Sequence, residues 1–255
     1  MTHALITGAA GAIGAALAEA FRARQPELRL SLVDVNEAGA RHAAERLGGD
    51  AAAFGWDLAE PDALEDRLRE LVSDRGAVDL LVNCAGFMEV RSFAATDWAL
   101  GARLLRVDME SPLRLMSLVV PSMTAAKRGT VVNVASMAGV TPLRGCAYYG
   151  AAKAGFAMAS EIAHLELAQR GVHVVTVYPG PVRSALESRA RGQFRQTTLA
   201  RFAPAGDPAA LAERVVAACE RKRARVVYPP LYDLASRFPG IASGITRALS
   251  PMPAR

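Results

Sequence analysis

Cysteine is scarce in this chain, with three among 255 residues. Cys84, Cys146 and Cys219 are odd in number and lack metal-ligand spacing, which excludes a disulfide framework and suits reduced thiols in a cytoplasm. The four histidines (His3, His42, His164 and His173) form no HxH or HxxxH pair. His42 and Glu45 can share a helix face, but two ligands without a third read as a solvated surface pair, so no metal site is expected. No apolar run reaches the ~18 residues that a membrane-spanning helix needs. The opening residues run directly into a strand without a basic region or cleavage site, so no signal peptide is expected. Low-complexity tracts are missing, and so is any repeat of about 20–50 residues.

What is present is an apolar chain, 51% hydrophobic, of the size usual for a single α/β domain over residues 1–255. Its net charge of +5 is unevenly placed. Residues 1–182 carry 17 Lys/Arg against 20 Asp/Glu, and residues 183–255 carry 13 against 5. A basic quarter can greet an anionic substrate, a carrier protein or a lipid surface, but a solvated arginine-rich surface is the better reading. No nucleic-acid partner is expected.

Ala4–Thr7 reads as a buried strand that enters Gly8-Ala-Ala-Gly11-Ala12-Ile13-Gly14 and then an alanine-rich helix, Ala15–Arg24. Strand, glycine turn, helix is the context of a dinucleotide site: glycines admit a pyrophosphate, and the helix start offers free N–H groups and partial positive charge. A second strand, Leu28–Val33, ends at Asp34, 20 residues beyond Gly14. A carboxylate there accepts from ribose hydroxyls and repels a 2′-phosphate, which points to NAD rather than NADP. Its alternative role is to cap the helix Glu37–Leu47. Further strands are expected at Ala51–Trp56, Val78–Val82, Thr130–Ala135, Val172–Tyr178 and Arg225–Tyr228. The helices between them are Pro61–Asp74, Asp97–Met123 (bent near Pro112), Tyr148–Gln169 and Pro208–Lys222. This order specifies a doubly wound parallel sheet with helices on both faces. Gly8, Asp34, Asp57, Asn83, Ser136 and Pro179 all fall at carboxyl ends of strands, the edge where such sheets bind ligands.

The stretch Tyr149-Gly-Ala-Ala-Lys153 follows Ser136 by thirteen residues. Residues four apart stack on one helix face, so an ammonium stands beside a phenol. Lowering a tyrosine pKa from ~10 by about two to three units would make it a proton-transfer group near neutral pH, worth roughly 3–4 kcal/mol. On its own the pair could equally be a helix-surface contact.

Taken together these motifs resemble the short-chain dehydrogenase/reductase family over nearly the whole chain. The glycine turn, Asp57, Asn83-Cys-Ala85-Gly86, Ser136, YxxxK and Pro179-Gly180-Pro-Val182-Arg-Ser184 stand in family order. The resemblance implies a Rossmann-type, NAD(P)-dependent oxidoreductase acting on an alcohol or carbonyl. It makes Tyr149 the general acid/base, with Lys153 lowering its pKa and holding the nicotinamide ribose. Ser136 would bind the substrate oxygen, Asn83–Gly86 would lie along the cofactor, Asp57 and Leu58 would meet the adenine, and Pro179–Ser184 would clasp the nicotinamide side. Two positions depart from the family. Ala12 replaces the middle turn glycine and is tolerable only at negative φ. Asp108 replaces an asparagine that helps relay protons to the lysine; when ionised it accepts hydrogen bonds but donates none.

For the substrate, Met88, Val140 and Leu143 suggest an apolar pocket and a bulky alcohol. Residues 181–206 would form the variable substrate loop, with Arg183, Arg189, Arg191, Arg195 and Arg201. The tail from Leu231 to Arg255 (Leu231, Leu234, Phe238, Ile241, Ile245, Leu249) could be a lid, a surface-binding segment or a packing element, of which packing or subunit contact is expected. The resemblance also implies a homodimer or homotetramer using the Ala152–Gln169 helix. The leading function is an NAD-dependent alcohol dehydrogenase or ketone reductase. Its rivals are an NADPH-linked reductase of acyl thioesters and a nucleotide-sensing protein without turnover.

Overall fold

Runs apolar on both faces make strands that helices must cover on both sides, and here they do. The computed structural model describes residues 1–194, 205–238, 240, 243–244, 246 and 250–253, without the side chains of residues 235–237. The strands are β1 (His3–Thr7), β2 (Arg29–Asp34), β3 (Ala51–Gly55), β4 (Leu80–Asn83), β5 (Gly129–Val134), β6 (Val172–Pro179) and β7 (Arg225–Tyr228). They form one parallel sheet in the order β3-β2-β1-β4-β5-β6-β7. The helices are α1 (Ala12–Arg24), α2 (Glu37–Leu47), α3 (Leu64–Arg75), α4 (Trp98–Leu105), α5 (Ser111–Ala125), α6 (Ala147–Leu167), α7 (Ala185–Gln193), α8 (Pro208–Glu220) and α9 (Leu231–Arg237). The expected doubly wound architecture is the observed one.

Alternate residues of each strand feed two cores. Ile6, Leu32, Val82 and Val132 pack with Leu17 and Phe21 of α1 and Leu211 and Val215 of α8. Leu5, Val33, Leu81 and Val131 pack with Leu68 of α3, Leu115 of α5 and Phe156 of α6. All five residues of β1 and all eight of β6 are buried. This is why period-two alternation is missing from the sequence.

The single long helix expected over Asp97–Met123 is instead α4 and α5 joined by a π-helical turn, Arg106–Glu110. Pro112 supplies the reason: it has no N–H for the carbonyl of Asp108, four residues back, and its ring crowds that carbonyl. The distortion therefore falls one turn before the proline. Strand β4 begins at Leu80 rather than Val78, and just before it the Asp79 side chain binds Thr2 and His3. No described helix is long and apolar enough to cross a membrane.

Candidate active site

Strand order reverses between β1 and β4, and the crevice outside the carboxyl ends opens there. It is a cleft of about 1300 Å³. On its first wall, Gly8 adopts φ +71°, and a Cβ there would lie 2.8 Å from the Ala85 backbone nitrogen. A Cβ on Gly14 would lie 2.1 Å from the Gly8 carbonyl oxygen, so both positions demand glycine. Ala12 is the first residue of α1, and among the described residues only Lys127 and Lys222 are non-glycines at positive φ, so its methyl is unstrained. No side chain caps α1 at Gly11, and Gly11, Ala12, Ile13 and Gly14 line the cleft. An uncapped helix start facing a cleft between glycines fits a pyrophosphate.

Thr7 holds this turn against the next. Its hydroxyl accepts from the N–H groups of Cys84 and Ala85, both at 3.1 Å, which fixes Ala85 and Gly86 at the cleft. Asp34 also reaches the cleft, one carboxylate oxygen accepting from Ala10 N at 3.0 Å and the other from Asn36 N at 2.9 Å. It does not cap α2; Asn36 does, accepting from Gly39 N at 3.1 Å. Asp57 and Leu58 line the same end, and Ser111 Oγ donates to Leu58 O at 2.6 Å, tying that segment to α5.

At the chemical end, Ser136 caps the short 3₁₀ turn after β5 by accepting from Ala138 N at 3.1 Å, and it lines the cleft with Tyr149. Tyr149 and Lys153 lie on α6, with relative exposures of 8% and 4%. Lys153 Nζ donates to Val134 O at 3.1 Å and sits 5.9 Å from the centre of the Tyr149 ring. Asp108, fully buried, places Oδ1 3.2 Å from Lys153 Nζ. Pro179, Gly180, Val182 and Ser184 close the cleft beyond them, with the Tyr232 ring behind Gly180.

The expected lowering of the tyrosine pKa is not what the protein alone provides. Burial raises the Tyr149 phenol, and the Asp108 carboxylate raises it further, while Ser136 opposes both. The physical reason is first the burial of the phenol and then the Asp108 carboxylate, which also stands beside the Lys153 ammonium.

Most sequence-derived site residues meet at this cleft, Met88 and Leu143 included. Three stand elsewhere. Asp108 lies behind Lys153. Asn83 is buried beneath the cleft, donating to Asn133 Oδ1 at 2.9 Å in a chain that continues through Ser160 to Thr176. Val140 packs against Met137, Ala157 and Tyr178 on the far side of its turn. Of the loop arginines, Arg189 and Arg191 line the cleft and pair with Glu89 and Glu187, while Arg183 pairs with Asp207. Arg195 and Arg201 lie outside the described residues, as do Ile241, Ile245 and Leu249 of the tail. Leu231, Leu234 and Phe238, expected to serve packing or subunit contact, are exposed in the single chain.

Several cleft residues were not anticipated from the sequence. Phe87 follows the Asn83–Gly86 turn directly, and its adjacency to that motif was the available signal. Phe194 and Pro251 also line the cleft, and a bridge joins Phe194 to Pro253. Arg144 anchors this chain end, its N–H donating to Ser250 Oγ at 3.0 Å and its guanidinium to Ser250 O at 2.9 Å. No local pattern marks that long-range contact.

The family model for short chain dehydrogenases matches residues 2–193. A 3-oxoacyl-[acyl-carrier-protein] reductase from Vibrio cholerae is 31% identical over 83% of this chain and 87% of its own length. D-threitol dehydrogenase from Mycolicibacterium smegmatis is 32% identical over 80% of this chain and 78% of its own. The solved structure of a short-chain dehydrogenase from Sphingobium yanoikuyae in complex with NADPH superposes with a TM-score of 0.80 at 28% identity, covering 98% of this chain and 95% of that one.

Proposed function

The chain belongs to the short-chain dehydrogenase family of NAD(P)-dependent oxidoreductases acting on CH–OH groups, and on that premise we propose that it interconverts an apolar secondary alcohol and its ketone with NAD. The observation that carries this reading is the meeting of Ser136, Tyr149 and Lys153 with the uncapped start of α1 on one cleft. The Gly8–Gly14 turn would hold the pyrophosphate, Asp34 the adenosine ribose, Asp57 and Leu58 the adenine, and Pro179–Ser184 the nicotinamide side. When bound, the nicotinamide supplies or takes the hydride. Tyr149 donates its phenolic proton to the carbonyl oxygen in reduction and takes the alcohol proton in oxidation. Ser136 donates a hydrogen bond that fixes the same oxygen, and Lys153 orients the ribose beside it. Phe87, Met88, Leu143 and Phe194 give the substrate end its apolar wall and keep water from the reacting carbon.

The preference for NAD rests on Asp34, whose carboxylate disfavours a 2′-phosphate at the ribose. Arg46 reaches the same cleft but is paired with Glu19. A second reading, an NADPH-linked reductase of 3-oxoacyl thioesters, is supported by Arg91, Arg103 and Arg189 on the cleft, by the Vibrio relative and by the NADPH complex. The exposed row Met158, Ile162 and Leu165 on α6 supports a homodimer or homotetramer built through that helix, which sedimentation would test. The deciding assay follows NADH or NADPH formation across apolar secondary alcohols, with consumption of each on 3-oxoacyl thioesters beside it. Turnover with NAD on alcohols upholds the first reading; turnover with NADPH confined to thioesters replaces it with the second. Cofactor binding without turnover on either panel would favour a nucleotide sensor.

A further inference from the structure

Lys153 does not face Tyr149 as a lone cation. Its Nζ is 3.2 Å from Asp108 Oδ1 but 5.9 Å from the Tyr149 ring centre, with Phe156 at 5.7 Å on another side. The ammonium and the carboxylate are 5% and 0% exposed, so water screens neither. Neither Asp108 oxygen takes a well-aligned hydrogen bond, which leaves the contact with Lys153 as its main compensation.

The surrounding backbone is shaped for this pair. Asp108 sits in the π-helical turn Arg106–Glu110, buried although it belongs to a partly exposed stretch. A Cβ on Gly86 would come within 2.5 Å of Asp108 Oδ1 and 3.2 Å of Lys153 Nζ. Glycine at 86 therefore makes the room in which carboxylate and ammonium meet.

We propose that Asp108 is a positioning residue that offsets the Lys153 charge and keeps Tyr149 a phenol through neutral pH, the protonation state that carbonyl reduction uses. This rests on the acid/base role given to Tyr149 above. The other groups around the phenol do not replace Asp108. At the cap of α6 the Cys146 thiol is pushed up to about 12 by burial, and on the turn after β4, beside Lys153, burial does the same for Cys84. After β5, Ser136 acts to lower the phenol and carries no charge. Burial brings the Asp108 carboxyl up to about 6, with Lys153 pulling it back, so it is mainly ionised at pH 7 and above. In oxidation the phenolate is needed, so alcohol oxidation is pushed to higher pH than it would be with a neutral side chain at 108.

The test replaces Asp108 with asparagine, which removes the charge at nearly constant shape. Tyr149 ionisation is read by near-ultraviolet phenolate absorbance of the purified chain without added cofactor. Each protein is differenced against its own Tyr149→Phe counterpart, to isolate one phenol of the five tyrosines. The expected result is phenolate appearing at least one pH unit lower in Asp108→Asn, about a tenfold change in ionisation constant. The same onset in both, or none in either before unfolding, overturns the proposal. Asp108→Ser, smaller and also uncharged, must reproduce the shift if Asp108→Asn fails to fold. In turnover, the pH at which alcohol oxidation reaches half its limit must fall by the same amount with little change in KM. A uniform loss of rate at an unchanged pH profile marks a structural role and also overturns the proposal. Turnover persisting in Tyr149→Phe would sink the acid/base assignment instead, and the absorbance titration would still decide whether Asp108 controls the phenol.

Discussion

At the amino-terminal edge of the sheet, Asp79 accepts from Thr2 N at 3.0 and 2.9 Å, Thr2 Oγ1 at 2.9 Å and His3 N at 3.2 Å. Beside it the bonds run in one direction. Arg75 Nε donates to Ser31 Oγ at 3.0 Å, Ser31 Oγ donates to His3 Nε2 at 2.8 Å, and His3 Nδ1 donates to Gly76 O at 2.8 Å. At the carboxyl-terminal edge, Asp108 has an ion pair without a good hydrogen bond, Asn83 Oδ1 is buried without a partner, and the start of α1 is uncapped. The cluster around Asp79 and His3 satisfies its polar groups within the chain, whereas the cleft edge keeps a buried carboxylate and a helix start that lack such bonds. Stability and function are thereby separated along the same strands.

The sharpest way to probe this division is Tyr149→Phe. It removes one hydroxyl at the open edge, and kcat is expected to fall by about 10³-fold, within the range for losing an acid/base group. The melting temperature should stay within roughly 2 °C, because the ring and its packing are kept. A large fall in melting temperature would mean that the edge serves the fold after all.

Gly14→Ala should come next in size. Its methyl would press on the Gly8 carbonyl, so the turn must shift, at a cost of about 2–3 kcal/mol to dinucleotide binding. Titration of NAD by fluorescence should show affinity weaker by roughly 30–150-fold. Unchanged affinity would remove the glycine turn from the cofactor site.

Asp79→Ala probes the opposite edge. It strips acceptors from two backbone N–H groups and a hydroxyl, at a cost of about 2 kcal/mol, or roughly 4–8 °C in melting temperature for a chain of this size. Turnover and NAD affinity should remain within twofold of the parent below the transition. A kinetic defect would break the comparison.

Much of the open edge was legible in advance because its chemistry requires particular residues at particular strand ends. Gly8, Asp34 and Ser136 were marked by type and by position after an apolar run, and Tyr149 and Lys153 by their four-residue spacing thirteen residues beyond Ser136. What could not be read was the direction of a side chain once both faces of a strand are buried. Asn83 shows this: its amide enters the Asn133–Ser160–Thr176 chain instead of the cleft. Val140 shows it for a turn, where one residue's rotation separates the pocket wall from the packing side. The closed edge was nearly invisible, since Asp79 looked like an exception in an apolar strand and His3 like one of four scattered histidines. Their partners lie more than seventy residues away in sequence for Asp79 with Thr2 and His3 with Gly76. Only the sheet brings them together.

The two edges also respond to acid with opposite signs, which gives the smallest and most specific prediction. Burial holds the His3 imidazole below its ordinary 6.5, so the folded chain binds its proton less readily than the unfolded chain. Its contribution to stability is full above pH 6.5 and is lost as pH falls below that value. Burial holds the Asp108 carboxyl up at about 6, above its ordinary 3.8. Its contribution is full below pH 3.8 and is lost as pH rises through 6. Between pH 4 and 6.5 the two therefore oppose each other. Asp50, whose carboxyl is lowered chiefly by its hydrogen bond from Arg29, loses its contribution only below about 3.8, outside that window. Relative to the parent, His3→Gln should gain melting temperature as pH falls from 7 to 5, and Asp108→Asn should lose it from 6.5 to 4. Each change should be on the order of a few degrees. Differencing against the parent at every pH cancels the groups all three share. Two flat difference curves would contradict both burial assignments; a single flat one would identify the edge whose titrating group has been wrongly placed.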